Sequence, residues 1–276
     1  MHCEICNKKL EIFEKLEKFN LLKCYDCDHL VSDIKADKEY YKETYSNTYI
    51  YEKHKNWMNN PNYKLFNEIL YFLESKNEGS VIDLGCGNGL LLKYLNKKNS
   101  NLDLTGVDII KNEEKNSKLT FFKKEIFDYL PEKKFAFVIS IAVIEHIPKI
   151  QMFLEHIKKI SNEDCYCIIN TINTDSILYK IAYLLYKVNF KTPFLRLYDP
   201  HHLNHFSNKS LEKIFNKNDF SIIKKIKTPI NMNQIDYPYN NIFNKYFFYF
   251  AINVILQLQK LMGKSWLQTV VFKRNK

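Results

Sequence analysis

Asp83-Leu84-Gly85-Cys86-Gly87-Asn88-Gly89 joins the apolar run Val81 to Leu84 to the helix-like run Leu90 to Leu95. The pattern predicts a strand, a glycine-rich turn and a helix start. Glycine has no Cβ, so glycines at alternate positions let the backbone take positive φ and come close to a ligand. A turn of this build suits a nucleotide-like group. The dinucleotide fingerprint G-x-G-x-x-G would put its third glycine at position 90, but Leu90 stands there and Gly89 comes one residue early, which speaks against a nicotinamide cofactor.

Upstream of the turn, Leu65, Ile69, Leu70 and Leu73 recur at helical spacing and predict an amphipathic helix. Downstream, strand-like runs fall at Asp103 to Val107, Leu119 to Phe122, Phe135 to Ser140, Cys165 to Asn170, Phe220 to Lys227 and Leu267 to Lys273, with helical patterns between most of them. Strands alternating with helices imply βαβ crossovers and a sheet covered on both faces. The expected fold is therefore α/β: a doubly wound, mostly parallel, seven-stranded Rossmann-like sheet. One segment tests this picture. Tyr246 to Gln259 carries no charge and many apolar residues, but it is shorter than the roughly 20 residues a membrane span needs. A helix packed on the domain or in a dimer interface over 243–262 is expected, with peripheral membrane contact as the alternative.

The chain has 276 residues, 46% of them hydrophobic, which is enough for one substantial domain plus an appendage. Met1 leads straight into a polar, Cys-rich segment with no signal peptide, so a cytoplasmic location is expected. The formal charge of +10 comes from lysines scattered in pairs such as Lys97-Lys98 and Lys158-Lys159. That distribution reads as solvated faces rather than a nucleic-acid footprint.

Four of the seven cysteines form two C-x-x-C knuckles, Cys3 with Cys6 and Cys24 with Cys27. Two knuckles supply four thiolates at the spacing of a tetrahedral zinc site, and without export signals that outweighs disulfides. A closed four-sulfur site has no open position for chemistry. Its role is to fold a segment too short for its own core, with about 10–16 kcal/mol of apparent binding free energy. His2 and His29 flank the knuckles and could replace a thiolate, with a bystander role preferred, while Cys165 and Cys167 alternate along an apolar run and read as core. Residues 1–35 are thus read as a zinc ribbon and 36–60 as a linker or lid rich in tyrosine (Tyr40, Tyr41, Tyr45, Tyr49, Tyr51). Residues 61–276 form the large domain.

With an acid two residues before its first glycine, the turn resembles the first motif of class I S-adenosylmethionine-dependent methyltransferases. Asp83, Gly85, Gly87 and Gly89 would then line the methyl donor, S-adenosylmethionine. Asp108 follows the next strand about twenty residues beyond the glycines, where βαβ nucleotide sites place the acid that accepts from the ribose hydroxyls. After the third strand comes Glu125-Ile126-Phe127-Asp128. The resemblance implies that Glu125, beside Ile126, meets the adenine amino group, with Asp128 as the alternative acid.

Phe135-Ala136-Phe137-Val138 and then Ile144-Glu145-His146-Ile147 resemble the family's Phe-Asp-x-Val and Leu-Glu-His-Ile/Leu stretches, with Ala136 departing from the usual aspartate. Ile168 to Asn173 resembles the fifth strand with its trailing Thr-x-Asn, although Asn162-Glu163-Asp164 replaces the usual Pro-Gly-Gly turn. Asp199-Pro200-His201-His202-Leu203-Asn204-His205-Phe206-Ser207 is similar to the His-Leu-x-x-Phe-Ser segment that walls the acceptor pocket in many small-molecule methyltransferases. Paired C-x-x-C and a Tyr-rich linker also occur in a branch common among bacterial surface-polysaccharide and secondary-metabolite enzymes. The resemblance spans almost the whole chain and implies O-methylation of a small polar metabolite, such as a sugar or capsule precursor.

Direct displacement at a sulfonium requires in-line placement of the acceptor, worth roughly 7–11 kcal/mol in orientation alone. A hydroxyl must also lose a proton, and imidazole titrates near neutrality. His202 is the leading candidate base and His146 the second. Two other functions stay open: a ribosomal RNA base methyltransferase with a cysteine zinc module, disfavoured by the scattered lysines, and a non-catalytic zinc-dependent interaction protein.

Overall fold

The computed structural model describes residues 1–37, 40, 55–76, 79–110, 118–226, 228, 232–235 and 242–275. The expected seven strands form one sheet: β4 (Ser80–Leu84), β5 (Asp103–Asp108), β6 (Leu119–Lys123), β7 (Phe135–Ile141), β8 (Ser161–Ile172), β10 (Phe220–Ile226) and β11 (Leu267–Arg274). Their order is β10-β11-β8-β7-β4-β5-β6. β6, β5, β4, β7 and β8 run parallel, and β11 enters antiparallel between β8 and β10. All seven residues of β7 but the last are buried, as a parallel strand covered on both faces requires.

The chain runs from β4 outward to β6, then crosses back to β7 on the other side of β4. That reversal makes the carboxyl ends of β4 and β7 the switch point where open α/β sheets bind ligands. Helices cover both faces: α2 (Tyr63–Glu74) and α3 (Leu90–Lys98) on one, α4 (Ile150–Ile160) and α7 (Asn208–Lys217) on the other. α2 starts because the Asn62 side chain accepts from Leu65 N–H, and it buries Leu65, Phe66, Ile69, Phe72 and Leu73.

Three expectations need adjustment. β8 begins at Ser161, four residues before the expected Cys165, because Asn162-Glu163-Asp164 is carried as an irregularity between the Phe135–Ser161 and Phe137–Tyr166 pairs. The Tyr-rich stretch from Asp37 to Tyr51 lies outside the described residues except for Asp37 and Tyr40. Within the expected linker, Lys55–Asn59 is a short helix, α1, whose Trp57 packs against the apolar cluster that includes Leu21, Leu30 and Ile172.

The N-terminal strands β1 (Glu11–Lys15), β2 (Asn20–Lys23) and β3 (Leu30–Ser32) form a second, antiparallel sheet. Its fourth strand comes from far along the chain: β9 (Asn204–His205) pairs with β3. Ile5, Leu10 and Leu22 enter the same apolar core as α4 and α7, so the ribbon borrows its core from the large domain. α5 (Ile177–Lys187) and α6 (Thr192–Leu197) lead to β9, and α8 (Ile242–Met262) lies against α5. Among the described residues no helix is long and apolar enough to cross a membrane.

Candidate active site

The turn after β4 is held by glycine for two separate reasons. Gly85, Gly87 and Gly89 have φ of +77°, +55° and +74°, where side chains with a Cβ are strained. A Cβ on Gly85 would also lie 2.3 Å from Val143 Cγ2, and one on Gly89 would lie 2.5 Å from the Phe121 ring. The turn is thus seated against Phe121 of β6 and against Val143 just past β7. Phe121 was invisible as a site residue in the sequence, since nothing local distinguishes it from other apolar strand residues.

Asp108 ties this turn together. Gly87 N–H donates to its Oδ2 at 2.7 Å and Ile110 N–H to its Oδ1 at 2.9 Å. A carboxylate has about four acceptor positions, so one that anchors the turn can also accept from ligand hydroxyls. Burial raises its pKa, against the pull of those backbone N–H groups. Asp83 is buried more deeply, and its Oδ1 has no hydrogen-bond partner among the described residues. Burial first, and the Asp108 charge second, push its carboxyl up to about 8. An orphaned carboxyl oxygen beside a second acid fits a ligand that brings positive charge and hydroxyl donors, as S-adenosylmethionine does. Lys124 N–H donates to Asp108 C=O at 2.9 Å, which sets the following Glu125 close to that acid. Glu125 is exposed, and Ile126 is half-buried against the core.

At the end of β7 the chain makes a short 3-10 turn, Ile144–His146. Glu145 is buried, accepts from Thr171 Oγ1 at 2.8 Å, and is pushed by burial up to about 7. Its carbonyl accepts from Leu203 N–H at 2.8 Å, which brings the histidine segment alongside. His146 Nδ1 then meets His201 C=O at 2.8 Å, and His201 Nδ1 meets Asp199 Oδ1 at 2.5 Å. The His146 ring stacks on His201 with centroids 5.2 Å apart and lies 5.0 Å from His202. The structure therefore brings His146 and His202 together, with His201 between two chain segments that the sequence leaves unrelated. Val143, which fills the space under Gly85, immediately precedes this 3-10 turn, so the glycine turn and the histidines share one edge.

Cys3, Cys6, Cys24 and Cys27 converge with all sulfurs within 4.8 Å of one another. The separations of 3.6 Å (Cys3 to Cys27), 3.3 Å (Cys6 to Cys24) and 3.7 Å (Cys6 to Cys27) are far beyond a disulfide bond of about 2.05 Å. They suit the edge of a tetrahedron around zinc, about 3.8 Å for zinc–sulfur bonds near 2.3 Å. A hydrogen bond from Cys27 lowers the pKa of Cys3 while the same contact raises that of Cys27, so the two thiols share one proton between them.

His29 is no ligand in this group. It is fully buried, its Nε2 lies 3.0 Å from Asn204 Oδ1, and its ring packs on Phe206. Asn204 in turn donates to Ile147 C=O at 2.6 Å, and Ser32 Oγ donates to His202 C=O at 2.9 Å. Glu4 accepts from Ile150 N–H and Gln151 N–H at 3.0 and 2.9 Å, capping α4 from the ribbon. His205, part of the same expected pocket wall, is instead a core residue whose pKa burial drives down to about 3. Tyr40 Oη donates to Pro200 C=O at 3.0 Å, a direct contact between the Tyr-rich stretch and the histidine segment.

A family model described as methyltransferase domain matches residues 56–225. The ubiquinone biosynthesis O-methyltransferase of Rickettsia bellii is 31% identical over 114 residues, which are 38% of this chain and 45% of that protein. The chain thus spans about half the length of the curated relatives it matches. Among solved structures, the 1,6-didemethyltoxoflavin-N1-methyltransferase of Burkholderia thailandensis, with 1,6-didemethyltoxoflavin and S-adenosylhomocysteine bound, aligns with a TM-score of 0.59 at 11% identity, covering 97% of this chain and 100% of that one. The magnesium protoporphyrin IX methyltransferase of Synechocystis PCC 6803 aligns with a TM-score of 0.55 at 14% identity, covering 87% and 100%. Those structures share the fold. With the family match covering more than half of its length, this chain belongs to the methyltransferase-domain family.

Proposed function

We propose that the chain transfers a methyl group from S-adenosylmethionine to a hydroxyl of a small polar metabolite, with a sugar or surface-polysaccharide precursor as the acceptor class. The observation that carries this reading is the single edge shared by the glycine turn with its two acids and by the imidazoles of His146 and His202. When bound, the donor supplies an electrophilic methyl group on a sulfonium. Asp108 accepts from the ribose hydroxyls, Asp83 faces the positive end, and Glu125 with Ile126 borders the adenine. His202, with His146 second, takes the proton of the acceptor hydroxyl, a role worth about 10²–10⁴-fold in rate. An oxygen acceptor agrees with the curated relatives, which are described as O-methyltransferases. A small-molecule acceptor agrees with the toxoflavin-type and porphyrin-type compounds in the names of the structural neighbours.

The ribbon, in this reading, is a brace. Zinc on Cys3, Cys6, Cys24 and Cys27 fixes β3, which pairs with β9 and so positions the histidine segment. Calorimetric titration of S-adenosylmethionine into the full chain tests the donor half: Asp108→Ala is expected to abolish the heat of binding. Retained affinity would remove that residue from the site, and no heat with the wild-type chain would remove the donor. For the acceptor half, labelled donor is offered with a panel of nucleotide-activated hexoses. Label transfer that falls at least 10²-fold in His202→Ala, with donor binding intact, supports the reading. Label passing only to ribosomal RNA would replace it.

A further inference from the structure

We infer that His146, His201 and His202 form a three-imidazole site for a divalent transition-metal ion of the zinc class, separate from the four cysteines and turned to the acceptor. The site's role rests on the acceptor reading above, but its existence does not. One ring nitrogen from each of the three residues lies within 4.8 Å of the others. Around zinc, with zinc–nitrogen bonds of about 2.0–2.1 Å, tetrahedral ligands sit roughly 3.4 Å apart, so closure asks for about an ångström of side-chain movement.

The surroundings have the form that metal-bound histidines need. Such a residue donates its other ring N–H to a carboxylate or a backbone carbonyl, which fixes the tautomer and the ring plane. Here His201 Nδ1 is held by Asp199 Oδ1 at 2.5 Å, and His146 Nδ1 is held by His201 C=O at 2.8 Å. In both residues Nε2 is then the nitrogen that an ion would take. The His201 and His202 rings are only 4.1 Å apart and His146 is 5.0 Å from His202, so the three rings already crowd one point. The two remaining histidines of the region differ in kind: His29 and His205 are fully buried and spend hydrogen bonds on Asn204 and Ser32, as parts of the scaffold.

Three neutral nitrogen ligands suit zinc-class ions and leave one position open, the arrangement of hydrolytic zinc sites rather than structural ones. The acceptor hydroxyl takes that position, where the ion lowers its pKa. The hydroxyl proton passes to water. The oxygen then forms its bond to the methyl carbon as the carbon–sulfur bond breaks with its electron pair on sulfur. Without the ion His202 takes the proton directly, as proposed above; with the ion bound, His146 and His202 act through it.

The test is the zinc content of the full chain after equilibration with excess Zn²⁺ and gel filtration. Wild type is expected to hold one more zinc per chain than His146→Ala/His202→Ala, whatever the cysteines retain. Asp199→Asn, which keeps all three ligands, is expected to weaken that ion by about 10–100-fold in a Zn²⁺ titration. Unchanged S-adenosylmethionine affinity serves as the check on folding for both variants. Equal zinc in wild type and the double variant, or an Asp199→Asn titration identical to wild type, overturns the site. Donor binding with no difference in zinc would leave the methyl-transfer reading standing alone. A zinc difference without donor binding would do the reverse.

Discussion

Asp83, in the proposed donor site, also bears on the stability of the chain. In the unfolded chain an aspartate releases its proton near 3.8, whereas in the fold Asp83 holds it up to about 8 because it is buried beside Asp108. The native state thus binds a proton the unfolded state has lost, and this contribution, complete below about pH 4, disappears as pH rises toward 8. Glu145, raised to about 7 by burial, has the same sign. His205 acts oppositely, but its effect ends near its unfolded pKa of about 6.5. The ligand-free chain should therefore lose thermal stability between pH 6.5 and 8, and Asp83→Asn should flatten the curve; a scanning-calorimetry series in which the two run parallel would contradict the assignment. Gly89 makes a second prediction at this scale. Alanine there combines φ of +74° with a 2.5 Å clash on Phe121, so Gly89→Ala is expected to cost about 2–3 kcal/mol and lower Tm by roughly 4–12 °C. The glycines and both acids were legible from the sequence, because tight turns and charge at a strand end leave local signatures. Phe121 and the orphaned state of Asp83 were not, since they depend on what lies beneath.

Among the elements, the two-residue strand β9 is the one with most consequence, because it belongs to both sheets' business. It pairs with β3 of the ribbon while Asn204 reaches Ile147 next to the 3-10 turn of His146. Asn204→Ala would leave the buried Ile147 carbonyl and His29 Nε2 without this partner, at about 1–3 kcal/mol each. Donor affinity should stay within about two-fold, since the glycine turn makes none of these contacts, while methyl transfer falls. Calorimetry of donor binding on the variant checks the first half, and label transfer the second; equal loss of both would mean that the histidine segment is not separately braced. Cys24→Ser should act in the same direction, because it removes one sulfur of the four-cysteine group beside β3. Element boundaries show what sequence can carry. α7 was foreseeable, as Ser207 caps it by accepting from Ser210 N–H while Ser210 Oγ accepts from Ser207 N–H. The early start of β8 was not, because Asn162-Glu163-Asp164 has poor strand propensity and is held by pairing at either side.

Across the whole molecule, donor binding should stabilise the fold it completes. At a concentration about 100-fold above Kd, a ligand bound only by the native state adds about 2.7 kcal/mol, or roughly 5–11 °C in Tm for a domain of this size. Thermal shift with S-adenosylmethionine checks it, and Asp108→Ala should abolish the shift. α8 presents the other large-scale feature. Its Tyr246, Phe250, Val254, Leu258 and Leu261 are exposed along one stripe while the opposite side faces α5. The expectation of a packed helix holds for only one of its faces.

By itself the sequence determined the α/β class, the seven strands, the glycine turn, the spacing of Asp108 and the pairing of the cysteine knuckles. These follow from local rules: the two-residue and 3.6-residue periods of apolar side chains, the freedom of glycine, and the reach of a C-x-x-C. Only the tertiary structure decided that the ribbon has no core of its own, that its sheet ends in β9, and that His146, His201 and His202 meet. Those contacts join residues from 55 to 175 positions apart, as in His146 with His201 and His29 with Asn204. No local pattern records such a meeting. It exists because Ile5, Leu22 and Phe206 are buried in one apolar core, which removes their surface from water.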